Sequence, residues 1–281
     1  MAALHALRPA VGGIVRNPVL LLVTALYGLA QVPSFLVPPT QPILTAVVSL
    51  ATFGVFVLAI PFFQGGLLGM ASEAVAGRTE VGTLVAEGKE NYLSLLLAYF
   101  VLLAINLVFG FVAFMGGLIV VVGGAASTST DAPAVGIDPT LLALLAIVGG
   151  GFLLAYLLVT FVVQFYAHAI VLDDADLVDG FRRSVGLVRS NVVSVLGYTL
   201  VLLAGSVVFG TLAAAASIVL GPQSPGTSGT PFADLATVEP GLPVLVGVGL
   251  GYLLLTGAFG AFYATYSVAF YERIGRDAAS R

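Results

Sequence analysis

The sequence predicts an all-α fold: a polytopic membrane bundle of six transmembrane helices in three hairpin repeats, with amphipathic interfacial helices. Three observations carry this. Hydrophobic residues make up 59% of the 281 and charged residues 9%, against about 25% charged in a soluble domain. Asp, Glu, Lys and Arg are missing from 17–72, 91–130, 139–172, 190–233 and 240–271. All 10 basic residues fall outside the intervening loops 31–42, 123–140 and 221–243. This one-sided distribution is a positive-inside signal. It predicts a multi-pass cell-membrane protein with both termini in the cytoplasm.

A helix needs about 20 apolar residues to cross the hydrocarbon core. The first span is expected at about 17–37, ending among Pro33, Pro38 and Pro39. Its apolar run exceeds a typical signal-peptide core, so we read it as a span. The second, about 43–70, carries Pro61 as an expected kink. The others are expected at about 92–122, 140–171, 192–220 and 242–271. Several approach about 30 residues, or about 45 Å of helix, so they tilt, kink or protrude. No segment reaches the roughly 50 residues of a separate soluble domain. Residues 1–281 therefore read as one integral membrane domain. Pro, Gly, Ser and Thr dominate 123–139 and 221–243, as in solvent-facing linkers.

The chain repeats itself. Arg16-Asn17, Lys89-Glu90-Asn91 and Arg189-Ser190-Asn191 each precede an unbroken apolar run. Phe63-Gln64 returns as Val163-Gln164, and Phe165-Tyr166-Ala167 as Phe262-Tyr263-Ala264. The reading is three hairpins, each entered from the cytoplasm behind a basic residue and an Asn. Asn17, Asn91 and Asn191 are expected to cap the helices they open, each side chain taking a free backbone N–H. Such repeats are parallel, which counts against inverted-repeat transporters.

Between the hairpins, 173–190 places Leu177, Phe181, Val185 and Val188 at helical spacing beside Arg182, Arg183 and Arg189. That is an amphipathic interfacial pattern. Residues 73–90 are its counterpart, with Val81, Val85 and Gly88 beside Glu80, Glu87 and Lys89. Two roles stay open for these helices, contact with lipid and capping of the bundle. The acids Asp173, Asp174, Asp176 and Asp179 lack the spacing of a calcium loop. They read as charges at a helix N-terminus, with Glu73 as the earlier counterpart.

No Asp, Glu, Lys or Arg lies in mid-span, where such residues mark ion and proton paths. The polar residues in or near the spans are Gln64, Asn106, Gln164 and His168. Gln164 and His168 share a helix face by their spacing of four, and Gln64 is the repeat-mate of Gln164. These three form the candidate polar cluster. It reads either as a small site or as bracing between helices, worth about 1 kcal/mol or less per contact. Gly65/Gly69 and Gly247/Gly251 fit GxxxG packing. The glycines before Lys89 do not make a P-loop. Cysteine is absent, which excludes disulfides and thiolate chemistry. No catalytic residue, metal ligand or cofactor site is identified. Nucleic acid is not an expected partner, since no basic cluster exceeds three residues; the expected partners are the lipid bilayer and other membrane proteins.

Net charge is −4, and all of it comes from Asp131, Asp138, Asp234 and Glu239 in the outer loops. Exposed acid with scarce Lys fits a halophilic source; heavy Ala, Gly, Val and Arg usage also fits a GC-rich genome. With its Asn-led spans behind amphipathic helices, Lys89–Gly110 and Arg189–Gly210, the chain resembles a group of haloarchaeal six-span membrane proteins. That group is itself similar to the membrane domain fused to some glycerophosphodiester phosphodiesterases. The catalytic residues of those enzymes belong to a soluble barrel that nothing here matches. Three roles follow in order: a non-enzymatic scaffold or accessory membrane subunit, a channel or permease for a small neutral solute, and a membrane-embedded lipid enzyme.

Overall fold

The computed structural model describes residues 2–29, 41–126, 139–220 and 241–279. The outer-loop acids and all three prolines expected to end the first span, Pro33, Pro38 and Pro39, lie outside them. Among the described residues there are ten helices and no strand. They are α1 (Ala2–Arg16), α2 (Val19–Leu29), α3 (Pro42–Ala76), α4 (Val81–Glu90), α5 (Tyr92–Ala126), α6 (Pro139–Val163), α7 (Tyr166–Leu172), α8 (Leu177–Ser190), α9 (Val192–Leu220) and α10 (Leu242–Ala279).

Five stretches are long and apolar enough to cross a membrane, one of them, Ala143–Leu172, running from α6 through α7, and a sixth span arises if the bent pair α1 and α2 counts as one. The bend is 87°, and the sequence at the joint explains it. Asn17 precedes Pro18, and a residue before proline is steered away from helical angles. Proline itself is tolerated in the first turn of the next helix. The helix before the bend, α1, was not anticipated. The first expected span accordingly begins at Val19, and of that span only 11 residues are described.

Other boundaries shift in informative ways. α3 continues through Pro61 as one helix to Ala76, past the expected end near 70. The expected fourth span is interrupted: α6 stops at Val163, Gln164 and Phe165 form a turn, and α7 follows. α10 runs beyond 271 to Ala279.

Packing is uneven along the bundle. The apolar windows of the five long helices are only 0–11% buried within the chain. Residues such as Ile43, Phe111, Ile147, Leu200 and Leu254 are exposed. Large exposed apolar surfaces of this kind suit a bilayer. Burial collects instead at the end that carries the described basic residues. There α1 lays Ala2, Ala3, Ala6 and Ala10 against Phe165, Tyr198, Tyr266 and Phe270. The alanines leave room for an aromatic stack, Phe262–Tyr266 at 5.4 Å, Tyr266–Tyr198 at 5.3 Å and Tyr198–Phe270 at 4.5 Å. The Tyr266 hydroxyl donates to the Ala3 carbonyl at 3.2 Å.

Helix contacts follow the small residues. α2 meets α10 through Thr24, which donates to the Gly257 carbonyl at 2.7 Å, and through Gly28, Gly257 and Gly260, where added Cβ atoms would crowd the facing helix. α3 meets α4 through Gly65, Gly66 and Gly69, with Gly88 facing the Phe62 carbonyl. The Gly65/Gly69 pair is thus a packing surface. Gly247 and Gly251 face open space, with nothing within 4 Å of an added Cβ.

These two glycine environments make opposite predictions. A Cβ at position 66 would collide with the Leu84 carbonyl and side chain. Gly66→Ala should destabilise by about 1–3 kcal/mol, the usual cost of overpacking. Gly247→Ala should be neutral or stabilise by up to about 1 kcal/mol through reduced backbone freedom. Thermal unfolding of the two variants in one detergent checks the order; equal melting points would contradict the α3–α4 contact.

Candidate functional site

Three joints between interfacial and apolar helices are built on the three asparagines. Each is buried. Each donates its side-chain amide to the carbonyl four residues earlier: Asn17 to Gly13 at 2.9 Å, Asn91 to Glu87 at 3.2 Å, Asn191 to Leu187 at 3.2 Å. The side chain therefore adds a bond at the C-terminal end of the helix before it; at Asn17 and Asn91 the same carbonyl also accepts the residue's own backbone N–H at 3.1 Å. The span after it is begun by the backbone, whose carbonyl accepts from Leu95 at Asn91 and from Val195 at Asn191, both at 3.0 Å. Sequence reasoning placed asparagine at these joints but assigned its side chain to the following helix.

Asn17 reaches further than its counterparts. Its Nδ2 also donates to the Gly77 carbonyl at 3.0 Å, and its Oδ1 accepts the Thr79 N–H at 2.9 Å. Arg16 adds bonds to the carbonyls of Ala74 and Val75 at 3.3 and 3.4 Å. The bend between α1 and α2 thus grips the link between α3 and α4. Glu73 holds the same link from inside, accepting from the Thr79 and Thr83 hydroxyls at 2.8 and 2.7 Å.

A parallel arrangement holds the link from α7 to α8. Asp173 accepts from the Tyr271 hydroxyl at 2.6 Å and pairs with Arg183 at 2.9 Å. Asp174 beside it takes φ 50°, a left-handed conformation that Asp tolerates better than most residues. Asp176 occupies the N-cap position of α8 without a side-chain capping bond. Asp179 pairs with Arg182 at 3.5 Å where both side chains are exposed, a contact worth at most about 1 kcal/mol. On α4, burial first and then the charges of Glu90, Asp174 and Glu73 push the Glu87 carboxyl above its ordinary range.

The turn between α6 and α7 breaks the helical ladder inside the protein, and Ser184 repairs it. Its Oγ accepts the Phe165 N–H at 3.0 Å and donates to the Val162 carbonyl at 2.8 Å. Gly180, Ser184 and Val188 form the buried stripe of α8. A serine on that stripe is the signal sequence reasoning passed over.

The same turn sends the expected polar cluster in different directions. Gln164 Nε2 donates to the Phe161 carbonyl at 2.9 Å, and its Oε1 meets the Thr199 hydroxyl of α9 at 3.5 Å. The Gln64 side chain lies beside the Tyr166 hydroxyl. His168 is buried between Phe165 at 5.6 Å and Tyr271 at 5.3 Å, and neither ring nitrogen has a hydrogen-bond partner. No hydrogen bond joins the three among the described residues. The turn at Gln164–Phe165 falls between Gln164 and His168, and the two side chains meet different partners. A histidine that works as a base is normally oriented through its second nitrogen, and His168 has no such partner.

A second polar pair stands apart on the apolar helices. Tyr156 donates to Asn106 Oδ1 at 2.8 Å, and Asn106 Nδ2 donates to the Leu102 carbonyl at 2.8 Å. The pair sits at one end of a groove of about 560 Å³ between α5 and α6. Among the described residues, no group of three or more His, Asp and Glu is placed to hold a metal ion.

The chain belongs to the family of a domain of unknown function (DUF7847), whose model matches residues 1–274. No curated protein and no solved structure matches it. The family match takes in α1 and all three asparagine joints.

The joints differ in reach, and stability should follow. Asn17→Ala strands the part-buried Gly77 carbonyl and the buried Thr79 N–H, at about 1–3 kcal/mol for each group left unbonded. Asn191→Ala removes bonds only to Leu187 and Ser190 and should cost about 1 kcal/mol. Melting in detergent is expected to rank Asn17→Ala clearly below Asn191→Ala; the reverse order would contradict the grip of the α1–α2 bend on the α3–α4 link.

Proposed function

We propose that this is a six-span integral membrane protein, with the basic end in the cytoplasm, that works as a scaffold or accessory subunit through lipid and protein contacts. The observation that carries the reading is the division of labour along the bundle. At the basic end Asn17, Asn91, Asn191, Ser184, Glu73 and Asp173 hold helix joints together, while the long helices turn almost wholly apolar surfaces outward. Val81, Val85 and Val178 support lipid contact by the interfacial helices, because they are exposed on α4 and α8. The asparagine-to-carbonyl bond that recurs at Asn17, Asn91 and Asn191 supports three hairpin repeats. The pattern likeness to the phosphodiesterase-fused membrane domain and to haloarchaeal proteins is consistent with an accessory role.

A permease for neutral solutes is the reading to test against. Purified protein in liposomes is expected to leave glycerol and urea equilibration, followed by stopped-flow light scattering, at the rate of protein-free vesicles. A severalfold acceleration would replace the scaffold with a permease.

Orientation has its own test. The chain lacks cysteine, so single cysteines report cleanly. Ser129→Cys and Ser224→Cys, in the expected outer loops, should react with an impermeant maleimide on intact cells. Ala86→Cys, exposed on α4, should react only after the membrane is opened. Ser184 is unsuitable as the inner probe because it is fully buried. Labelling of Ala86→Cys in intact cells would invert the topology.

A further inference from the structure

The groove between α5 and α6 is unlike the other helix contacts. At the α2–α10 and α3–α4 contacts glycines bring backbones together. Here Gly110, Gly116 and Gly117 of α5 and Gly149 of α6 line the groove with nothing within 4 Å of an added Cβ. They widen a trough and do not close a contact. Its volume of about 560 Å³ falls within the roughly 300–1,000 Å³ of small-molecule sites. Phe109 lies 4.6 Å from Phe152 and 5.1 Å from Tyr156, which gives the groove an aromatic wall. The outer walls are exposed at Val112, Val148 and Leu153, so the groove opens sideways. On a helix pair set in a bilayer, that side faces lipid.

Polar groups in this apolar setting are confined to Asn106 and Tyr156. Their mutual bond leaves capacity unused. Asn106 Nδ2 carries two hydrogens and donates one, to Leu102. The second N–H and the lone pairs of the Tyr156 hydroxyl point to no protein partner. An amide N–H left unbonded in hydrocarbon is costly. Asn106 lies 15 residues beyond Asn91, or about 22 Å along α5 at about 1.5 Å per residue. With Asn91 at one interface of a core about 30 Å thick, that depth is inside the hydrocarbon, about 8 Å short of the far boundary. The oxygen that meets Asn106 must then lie within a chain.

We propose that the α5–α6 groove binds a single lipid chain carrying an in-chain oxygen, hydroxyl or carbonyl, that accepts a hydrogen bond from Asn106. The apolar walls and the open glycines take the hydrocarbon. The Asn106–Tyr156 pair selects the oxygenated chain over a plain one. This deepens the scaffold reading by giving it a lipid class, and it rests on the bilayer placement of α5 and α6.

The chain has no tryptophan, so Phe152→Trp supplies a single reporter in the groove wall. In detergent, 9,10-dibromostearic acid is expected to quench it saturably. A control, Phe114→Trp, on an exposed position of α5 outside the groove, should be quenched without saturation. Unlabelled 12-hydroxystearic acid should relieve the Phe152→Trp quenching at about tenfold lower concentration than stearic acid. Asn106→Leu in the reporter background should bring the two competitors to parity. Gly149→Leu should remove saturable quenching for both, and the open space at that position keeps the variant foldable. Equal, unsaturable quenching at positions 152 and 114 would overturn the site. Saturable quenching without preference for the hydroxylated chain would overturn the selectivity. Both readouts are independent of orientation and of solute permeability, so failure of the scaffold reading would show separately.

Discussion

A backbone N–H or C=O left unbonded beside lipid costs several kcal/mol, and this bundle interrupts its helices repeatedly near that environment. The structure answers each interruption with a side chain. Asn17, Asn91 and Asn191 close the ends of α1, α4 and α8, and Ser184 spans the gap between α6 and α7. Without such groups the chain would have to avoid sharp turns at the interface. With them, short interfacial helices can be folded in beneath the long ones, and the basic end gains a dense core.

That core organises the rest. α1 supplies alanines where the aromatic residues of α9 and α10 need room, and Tyr266 bonds back to Ala3. The links before α4 and α8 are each held by an acid at the end of the preceding helix, Glu73 in one and Asp173 in the other. The acids stand 100 positions apart, as Asn91 and Asn191 do. Their partners are chemically different, two threonines against an arginine and a tyrosine. The position of the acid recurs while its chemistry has been reassigned.

Away from the basic end the helices bury little within the chain, so neighbouring molecules must complete their packing. The free energy of such surfaces depends on what surrounds them. A dense base and open apolar upper helices suit a protein whose spans meet lipid or other helices. The α5–α6 groove is the place where this open region acquires polar features of its own.

Composition and charge gaps were enough to determine the helical class and the approximate extents of the long helices. α9 begins where the apolar run does, and nothing in Val192–Leu220 interrupts it. The asparagine joints were also legible, as residues preceding each apolar run. Their bonding was not, since a side chain between two helices can serve either, and only the positions of both decide. The polar cluster failed to assemble for a similar reason. Gln164 and His168 are four apart in sequence, but Ser184, distant in the chain, stabilises a turn between them and sends one toward Thr199 and the other toward Tyr271. Periodicity and composition are local properties, so the sequence by itself determined which segments are helical and apolar. Which helix each polar side chain serves depends on contacts between distant segments, and that was decided by the tertiary structure alone.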